Sequence, residues 1–360
     1  MNKYLFVFFI GVILSFVMTP LAKKLAHQVG AIDVPKDERR VHKKPIPRMG
    51  GLAIYLGVVG SILLGFKIFG IASVVEKSIS EQQVIVHQIK GMLLGGTLIV
   101  LMGIVDDIKP LPAKVKLFVQ IISALVLVVF GMTIKSINIP FMEAAIELKL
   151  LSIPITIFWI VGITNTLNLI DGLDGLAAGV ATIAAFSLSY VAFVNGREIT
   201  AIMTLAIAGA CIGFLPYNFN PAKIFMGDTG SLFLGYMLAA ISIHGLVKGA
   251  TAIATVVPVL ALGLPIFDTT FAILRRLLNG RPIMEADKGH LHHKLLSTGM
   301  GQKRTVLILY AISSTFGISA ALMSKSKTWD SLFVIIAASA LMYISMGMQS
   351  VRKQKSGNKE

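Results

Sequence analysis

Long apolar stretches separated by short polar segments run along the whole chain. Eleven of them are nearly free of charge and approach the ~20 residues that an α-helix needs to cross the hydrocarbon core of a bilayer. They lie near residues 4–22, 49–66, 88–105, 116–134, 150–170, 175–195, 199–217, 229–247, 250–274, 304–324 and 331–350. The pattern predicts an all-α, polytopic integral membrane protein with about eleven transmembrane helices, forming a single domain over residues 1–360.

The composition supports this class. Hydrophobic residues make up 55% of the 360 positions and charged residues only 14%, which excludes a water-soluble globular protein of this size. Residues 1–25 resemble a secretory signal, but Lys23 and Lys24 follow and more spans come after, so a first transmembrane helix is expected there. The single cysteine, Cys211, excludes a disulfide framework and a cysteine-based metal site.

Lysine and arginine are distributed unevenly between the two sides that this topology defines. The loops after the odd-numbered spans, together with the C-terminal tail, carry 23 of the 33 basic residues. The positive-inside rule therefore predicts an N-terminus outside and a cytoplasmic C-terminus. The net charge of +15 is explained by this asymmetry, by anionic lipid and by an anionic substrate, so no nucleic-acid partner is expected.

The acidic residues on the inner side are mostly short and stiff. Nine of the twelve inner acids are Asp, and they concentrate at the ends of predicted helices. Such carboxylates favour positioned metal or substrate ligands over simple solvation. The site is therefore predicted on the cytoplasmic face, in the loops 23–48, 106–116, 165–175, 218–231 and 275–303.

One stretch of these loops carries four polar residues at every third position. A helical turn would set them in one row, and they are Asn165, Asn168, Asp171 and Asp174. Gly172 and Gly175 beside them would let the backbone bend. The row is either a ligand-binding edge or ordinary helix-end polarity that faces water.

Two further acidic segments stand at helix ends. Asp106 and Asp107 are adjacent, so their repulsion needs a cation or nearby lysines such as Lys116, unless they form an ordinary acidic helix end. Asp228 lies between two glycines in the segment 225–231, where the amides of a helix N-terminus favour a phosphate. Alternatively, Asp228 is the N-cap of that helix.

Basic residues and histidines complete the set of candidates. Lys44 and Arg48 bracket two prolines that stiffen the first inner loop and aim its cations. The last inner loop has three histidines within four residues, which suits either zinc or the clamping of a diphosphate by imidazolium and lysine; they are His290, His292 and His293. Asp268 is expected either to support the site or to pair with Arg275 or Arg276.

These residues together favour phosphate chemistry at the bilayer boundary. Hard oxygen ligands indicate Mg²⁺ or Mn²⁺, and these cations usually accompany phosphates. A site that touches both cytosol and lipid suits a reaction between a soluble, nucleotide-linked donor and a lipid phosphate.

At these residues the sequence resembles the polyprenyl-phosphate N-acetylhexosamine-1-phosphate transferases. The resemblance covers most of the chain and rests on five motifs in the family's order: PxxxxGG at 45–51, VDD at 105–107, NxxNxxDGxDG at 165–175, FMGDTGS at 225–231 and HxHH at 290–293. It implies transfer of a sugar 1-phosphate from a UDP-sugar to undecaprenyl phosphate, with Mg²⁺ and release of UMP. It also implies a bacterial plasma membrane location, and it allows a homodimer.

The resemblance further implies a role for each matched residue. Asp228 and Asn168 would bind Mg²⁺, and Asp106 would deprotonate or orient the lipid phosphate, with Asp107 holding the metal or the base. Asp174 would bind uracil or ribose, Phe225 would stack on uracil, and Lys116 with the three histidines would hold the diphosphate. Asp171 and Lys44 match motif positions without a defined role. Direct attack and an aspartyl-phosphate intermediate both remain open.

The first loop favours one branch of this family. Residues 40–51 are similar to the UDP-GlcNAc branch that initiates teichoic acid, O-antigen or related glycans, whereas the phospho-N-acetylmuramoyl-pentapeptide branch usually has a Gly-Thr-Pro-Thr-Met-Gly-Gly type loop. The pentapeptide donor is therefore the alternative, and a proton-coupled transporter is a remote one. A CDP-alcohol phosphotransferase is excluded, because residues 176–197 contain no acid where that class needs further aspartates.

Overall fold

The computed structural model describes residues 2–35, 44–70, 79–137, 146–245, 252–280 and 289–324. Within them the chain forms twelve α-helices: α1 (Lys3–Val29), α2 (Gly50–Phe69), α3 (Ile79–Ile108), α4 (Ala113–Val129), α5 (Ser152–Leu169), α6 (Leu176–Val194), α7 (Glu198–Asn218), α8 (Gly227–Gly245), α9 (Ala252–Ala261), α10 (Gly263–Leu278), α11 (Leu291–Ser297) and α12 (Gln302–Met323). The predicted all-α class is confirmed.

Among the residues that the structure describes, seven helical segments are long and apolar enough to cross a membrane: α1, α2, α3, α5 with the 3₁₀ turn before it, α6, α7 and α12. Large apolar side chains are exposed along them, as Phe9 (54%) and Phe158 (78%) show, which is the arrangement that lipid stabilises. The protein is therefore a polytopic membrane protein. The predicted span 331–350 lies outside the described residues.

The prediction of one continuous helix over residues 250–274 is wrong. The chain breaks at Leu262 between α9 and α10. Pro265 in the first turn of α10 explains the break, because proline has no amide hydrogen and its ring clashes with the carbonyl four residues earlier, here that of Ala261. The second half of the predicted span is thus a separate helix, α10.

The loop between α1 and α2 begins and ends in regular structure. Strand β1 (Ile32–Asp33) pairs antiparallel with β2 (Ile46–Pro47), so the ends of this loop form a short ribbon. A second ribbon pairs β3 (Ser136–Ile137) with β4 (Ile146–Glu147). The first ribbon matters for the site, since it leads directly into Arg48.

Glycines allow three helix ends to meet next to this ribbon. A Cβ atom at Gly51 of α2 would lie 2.0 Å from the backbone nitrogen of Gly230 in α8, and one at Gly103 of α3 would lie 2.5 Å from the Cα of Thr229. Gly230 takes part in the same contact, since a Cβ there would lie 2.6 Å from the Cα of Gly51. The close approach at Gly103 brings the end of α3 and the start of α8 into contact.

Candidate active site

A cavity of about 400 Å³ opens at this meeting point. Six of the predicted site residues line it, namely Asn168, Asp171, Asp174, Phe225, Asp228 and His293. Seven lining residues were not predicted as site residues, namely Asp33, Arg48, Gly172, Leu173, Asn218, Gly227 and Gln302. Four of the five loops named from the sequence therefore line the cavity, and the last of them includes Gln302, the first residue of α12.

The acidic cluster lies beside this cavity. One carboxylate oxygen from each of Asp106, Asp107 and Asp228 lies within 4.8 Å of the others. In the described part of the chain, no other group of three or more His, Cys, Asp or Glu side chains converges in this way. The oxygen donors suit a hard divalent cation, whereas the histidine loop does not form a comparable zinc cluster.

Both carboxylate oxygens of Asp107 accept hydrogen bonds from the start of α8. Its Oδ1 accepts from the backbone nitrogen of Asp228 (2.9 Å), and its Oδ2 accepts from the backbone nitrogen (3.2 Å) and hydroxyl (2.6 Å) of Thr229. Gly227 has φ +70°, and a Cβ there would lie 2.3 Å from the Asp107 carboxylate. The anion at the start of α8 is therefore the protein's own carboxylate, and Asp107 rather than Asp228 satisfies these amides.

Asp228 and Asp106 share a lysine. Lys116 at the start of α4 donates from Nζ to Asp228 Oδ2 (2.9 Å) and lies 3.3 Å from Asp106 Oδ1. Asn168 points its amide nitrogen at Asp228 Oδ1 (3.2 Å) and also donates to the Ser231 hydroxyl (2.8 Å). The amide thus holds Asp228 in place, and the carboxylates of Asp106 and Asp228 are the oxygen donors best placed for a cation.

Arg48 was noted in the sequence as a cation next to two prolines but was given no role in the site, and the structure places it against all three aspartates. Its Nη2 lies 3.0 Å from Asp107 Oδ1, 3.8 Å from Asp106 Oδ2 and 4.0 Å from Asp228 Oδ1. Lys44, the loop residue named instead, is exposed and does not line the cavity. The available signal was the position of Arg48 directly after the two prolines and before the glycines of α2.

Backbone pairing explains why Arg48 enters the site. Arg48 forms a parallel β-bridge with Phe225. The backbone nitrogen of Phe225 donates to the carbonyl of Pro47 (2.8 Å), and its carbonyl accepts from Gly50 (2.9 Å). The two motifs at 45–51 and 225–231 are therefore one structural unit that positions both Arg48 and the Phe225 ring.

Of the four residues in the predicted helical row, only Asn165 and Asn168 lie in a helix. Helix α5 ends at Leu169, and the chain then turns, with Gly175 at φ +80°. Asn165 remains in the helix, bonds with Gln120 and does not line the cavity. Asn168 reaches the cavity from the last turn of α5, whereas Asp171 and Asp174 reach it from the turn that follows, because the glycine-rich segment does not continue the helix.

Asp174 lines the cavity and is held there by hydrogen bonds from the protein. Its Oδ2 accepts from Asn220 Nδ2 (2.8 Å) and from the backbone nitrogen of Ala222 (3.0 Å). Asn220 also donates to Gln302 Oε1 (2.7 Å), and the Tyr310 hydroxyl donates to the carbonyl of Gly175. Helix α12 thereby fixes the turn that carries Asp174.

Asp171 has an altered pKa. The pKa of its carboxyl group is raised to about 7, chiefly because the group is buried from bulk solvent and also because the carboxylates of Asp228 and Asp107 repel its charge. The positive charge of Arg48 opposes this effect. Asp171 therefore changes its charge close to neutral pH.

The histidine loop packs against the same turn. A Cβ atom at Gly172 would lie 2.6 Å from His292 Nε2, so this glycine makes room for the ring. His293 lines the cavity, and His290 contacts Asp268. The pKa of His292 is lowered to about 4, mainly by burial and then by the neighbouring His293, so this ring is neutral at neutral pH.

Comparisons with known proteins identify relatives of this chain. Residues 89–246 match the family described as glycosyl transferase family 4. The chain is 41% identical over 344 residues to a Bacillus subtilis protein named probable undecaprenyl-phosphate N-acetylglucosaminyl 1-phosphate transferase. That alignment covers 96% of this chain and 91% of the relative.

Two further relatives represent the two branches that the sequence left open. The chain is 36% identical over 319 residues to the decaprenyl-phosphate N-acetylglucosaminephosphotransferase of Mycobacterium tuberculosis, covering 83% of this chain and 77% of the relative. It is 30% identical over 330 residues to the phospho-N-acetylmuramoyl-pentapeptide-transferase of Staphylococcus aureus, covering 86% and 95%.

Proposed function

The chain belongs to glycosyl transferase family 4, and we propose that it transfers N-acetylglucosamine 1-phosphate from UDP-GlcNAc to undecaprenyl phosphate and releases UMP. The two relatives named for N-acetylglucosamine phosphate transfer are 41% and 36% identical, against 30% for the pentapeptide transferase. The product would be the lipid-linked sugar that initiates a cell-surface glycan.

The observation that carries the proposal is the meeting of carboxylates and cations beside one cavity. Lys116 and Arg48 both contact the aspartate cluster and would pair with phosphate oxygens of the two substrates. An oxygen of the lipid phosphate would attack the sugar-linked phosphorus of the donor, and the bond from that phosphorus to the UMP oxygen would break. Asp106 would orient the attacking phosphate or accept its proton.

A divalent cation fits this site, and we assign its ligands to Asp106 and Asp228. Their carboxylates are close together and share Lys116. When bound, Mg²⁺ or Mn²⁺ would neutralise charge on the diphosphate and on its leaving oxygen. Asp107 would keep the start of α8 and Arg48 in position, and Asn168 would hold Asp228, a different assignment from the metal ligand that the resemblance implies.

The donor would lie between the DGLDG turn and Phe225. Phe225 lines the same cavity as Asp174, and its ring would stack on uracil. Asp174 would bind uracil or ribose through the oxygen that Asn220 and Ala222 leave unused. His293 and the rest of the histidine loop would reach the diphosphate from the side of Gly172.

The membrane arrangement follows from the distribution of charge. The N-terminus would lie outside and the C-terminus in the cytoplasm of a bacterium. The cavity would then open to the cytoplasm, where nucleotide sugars are found, at the level where the phosphate of undecaprenyl phosphate meets water. Assembly as a homodimer would be compatible with this arrangement.

The second candidate function is transfer from UDP-MurNAc-pentapeptide. It is favoured by the similarity to the Staphylococcus aureus relative, and it is disfavoured by the first loop, which places Arg48 where the pentapeptide branch usually has threonine. A proton-coupled transporter is disfavoured because the carboxylates gather at helix ends beside one cavity.

One assay separates these functions. Purified protein is incubated with undecaprenyl phosphate and Mg²⁺, with UDP-GlcNAc and UDP-MurNAc-pentapeptide offered in parallel, and UMP release is measured. Turnover with UDP-GlcNAc alone is expected. Turnover with the pentapeptide donor alone would move the protein to the other branch, and absence of UMP with both donors would contradict the proposal.

A further inference from the structure

The histidine loop is attached to α10 at two points. Arg275 donates from Nη1 to the carbonyl of Gly289 (2.9 Å), while Asp268 accepts from His290 Nδ1 and from the backbone nitrogen of Leu291, both at 2.8 Å. Asp268 and Arg275 are seven residues apart, so two turns of α10 place them on one face. A Cβ at Gly289 would lie 1.9 Å from the Arg275 guanidinium, so glycine lets the guanidinium lie directly against this segment.

The contact between Asp268 and His290 is buried, since the two residues are 8% and 6% exposed. A carboxylate only accepts hydrogen bonds, so the 2.8 Å contact places a hydrogen on Nδ1 of His290. The other carboxylate oxygen is occupied by the amide of Leu291, which prevents Asp268 from turning away. Nε2 is then the nitrogen of His290 that remains for a ligand.

Stacked rings connect this pair with the cavity. The ring of His290 is nearly parallel to that of His292, with centroids 5.8 Å apart and planes at 11°. The ring of His292 lies 4.2 Å from that of His293, which lines the cavity. A change in the orientation of His290 would therefore be passed to the wall of the site.

We propose that Asp268 is a positioning residue that holds His290 with its hydrogen on Nδ1 and directs Nε2 to the diphosphate of the donor. The proposal rests on the proposed function, in which the histidine loop binds that diphosphate. Asp268 acts only through His290 and does not touch substrate. Its burial and its two acceptor contacts distinguish it from a surface carboxylate that only solvates a helix end.

Steady-state kinetics of UMP release test this role. In Asp268→Asn the amide nitrogen can donate to Nδ1, which permits the other tautomer, so we expect kcat to fall at least tenfold while KM for undecaprenyl phosphate stays within twofold. His290→Asn keeps a donor near the position of Nδ1 but lacks Nε2, and the same loss is expected. An unchanged kcat in either variant would overturn the proposal.

A double variant separates positioning from a general effect on folding. If Asp268 acts through His290, Asp268→Asn combined with His290→Asn is no slower than His290→Asn alone; multiplied losses would overturn the proposal. Glu198→Gln is the matched control, because it also changes a carboxylate to an amide in an ion pair, in this case the pair with Lys3. Glu198 begins α7, about 30 Å along the helix from Asn218, which lines the cavity. The kinetics of Glu198→Gln should match those of the unsubstituted protein.

Nuclear magnetic resonance of ¹⁵N-histidine-labelled protein gives a readout that does not depend on activity. The signal that His290→Asn removes should report hydrogen on Nδ1 in the unsubstituted protein and should change in Asp268→Asn. Hydrogen on Nε2 alone in the unsubstituted protein would overturn the positioning role. If the unsubstituted protein releases no UMP, the proposed function fails, but this spectrum still tests the pair.

Discussion

The carboxylate of Asp107 accepts a hydrogen bond from the backbone nitrogen of Asp228 at 2.9 Å, so one member of the acidic cluster holds another. The adjacent pair at the end of α3 therefore has two different tasks. Asp107 is enclosed and caps α8, whereas Asp106 contacts Lys116 beside the cavity. The two adjacent aspartates look alike in the sequence, and they differ because the side chain of Asp107 faces the start of α8 whereas that of Asp106 faces Lys116.

Asp107→Asn should impair both stability and activity. An amide has one oxygen to replace two carboxylate oxygens that accept from Thr229, Asp228 and Arg48. Loss of bonds to a buried group typically costs about 1–3 kcal/mol, so the thermal unfolding midpoint should fall together with the rate of UMP release. A normal midpoint combined with a lost rate would instead make Asp107 a direct participant in the reaction.

Asp228→Asn should nearly abolish turnover while the protein stays folded. The substitution removes a negative charge that would bind the cation but keeps the shape of the side chain, and Lys116 loses a partner. Thermal unfolding with and without Mg²⁺ supplies the second measurement, since the unsubstituted protein should be stabilised by the ion and this variant much less. Near-normal rates at saturating Mg²⁺ would rule out Asp228 as a ligand.

Arg48→Lys should raise KM for UDP-GlcNAc by about tenfold or more. Lysine keeps the charge but loses the planar fork that reaches Asp107 and the cavity together. Lys24→Ala is the matched control, because it removes an exposed cation near the end of α1. Equal kinetics for Arg48→Lys and the unsubstituted protein would show that Arg48 does not meet the donor.

The helices and the motif loops could be predicted from the sequence because both depend on patterns of residues that are close together in the chain. The apolar period marks each helix, and glycine next to Asp171 and Asp228 marks a turn or a close contact. The local pattern gave Arg48 no role in the site and did not mark Gln302, since it does not show that the first loop pairs with Phe225 or that α12 reaches Asn220. It also missed the break at Leu262, because hydrophobicity continues across it.

The pKa of Asp171 predicts how stability changes with pH. Its pKa is raised from an ordinary value near 4 to about 7 in the folded protein. Folding therefore favours the protonated form, and stability falls as pH rises from about 4 to about 7. Asp171→Asn should remove this loss, giving a higher unfolding midpoint than the unsubstituted protein at pH 8 and a similar one at pH 4.5. An equal difference at both pH values would contradict the raised pKa.

Gly51→Ala should damage the site through backbone packing alone. The added methyl group would lie 2.0 Å from the backbone nitrogen of Gly230, which cannot move without displacing the start of α8. Overpacking of this kind typically costs about 1–3 kcal/mol, so both the unfolding midpoint and UMP release should fall. Gly162→Ala in α5 is the matched control, since a Cβ there meets nothing within 4 Å and alanine favours the helix by about 1 kcal/mol. If the two variants behaved alike, the contact between α2 and α8 would not be what positions the aspartate cluster.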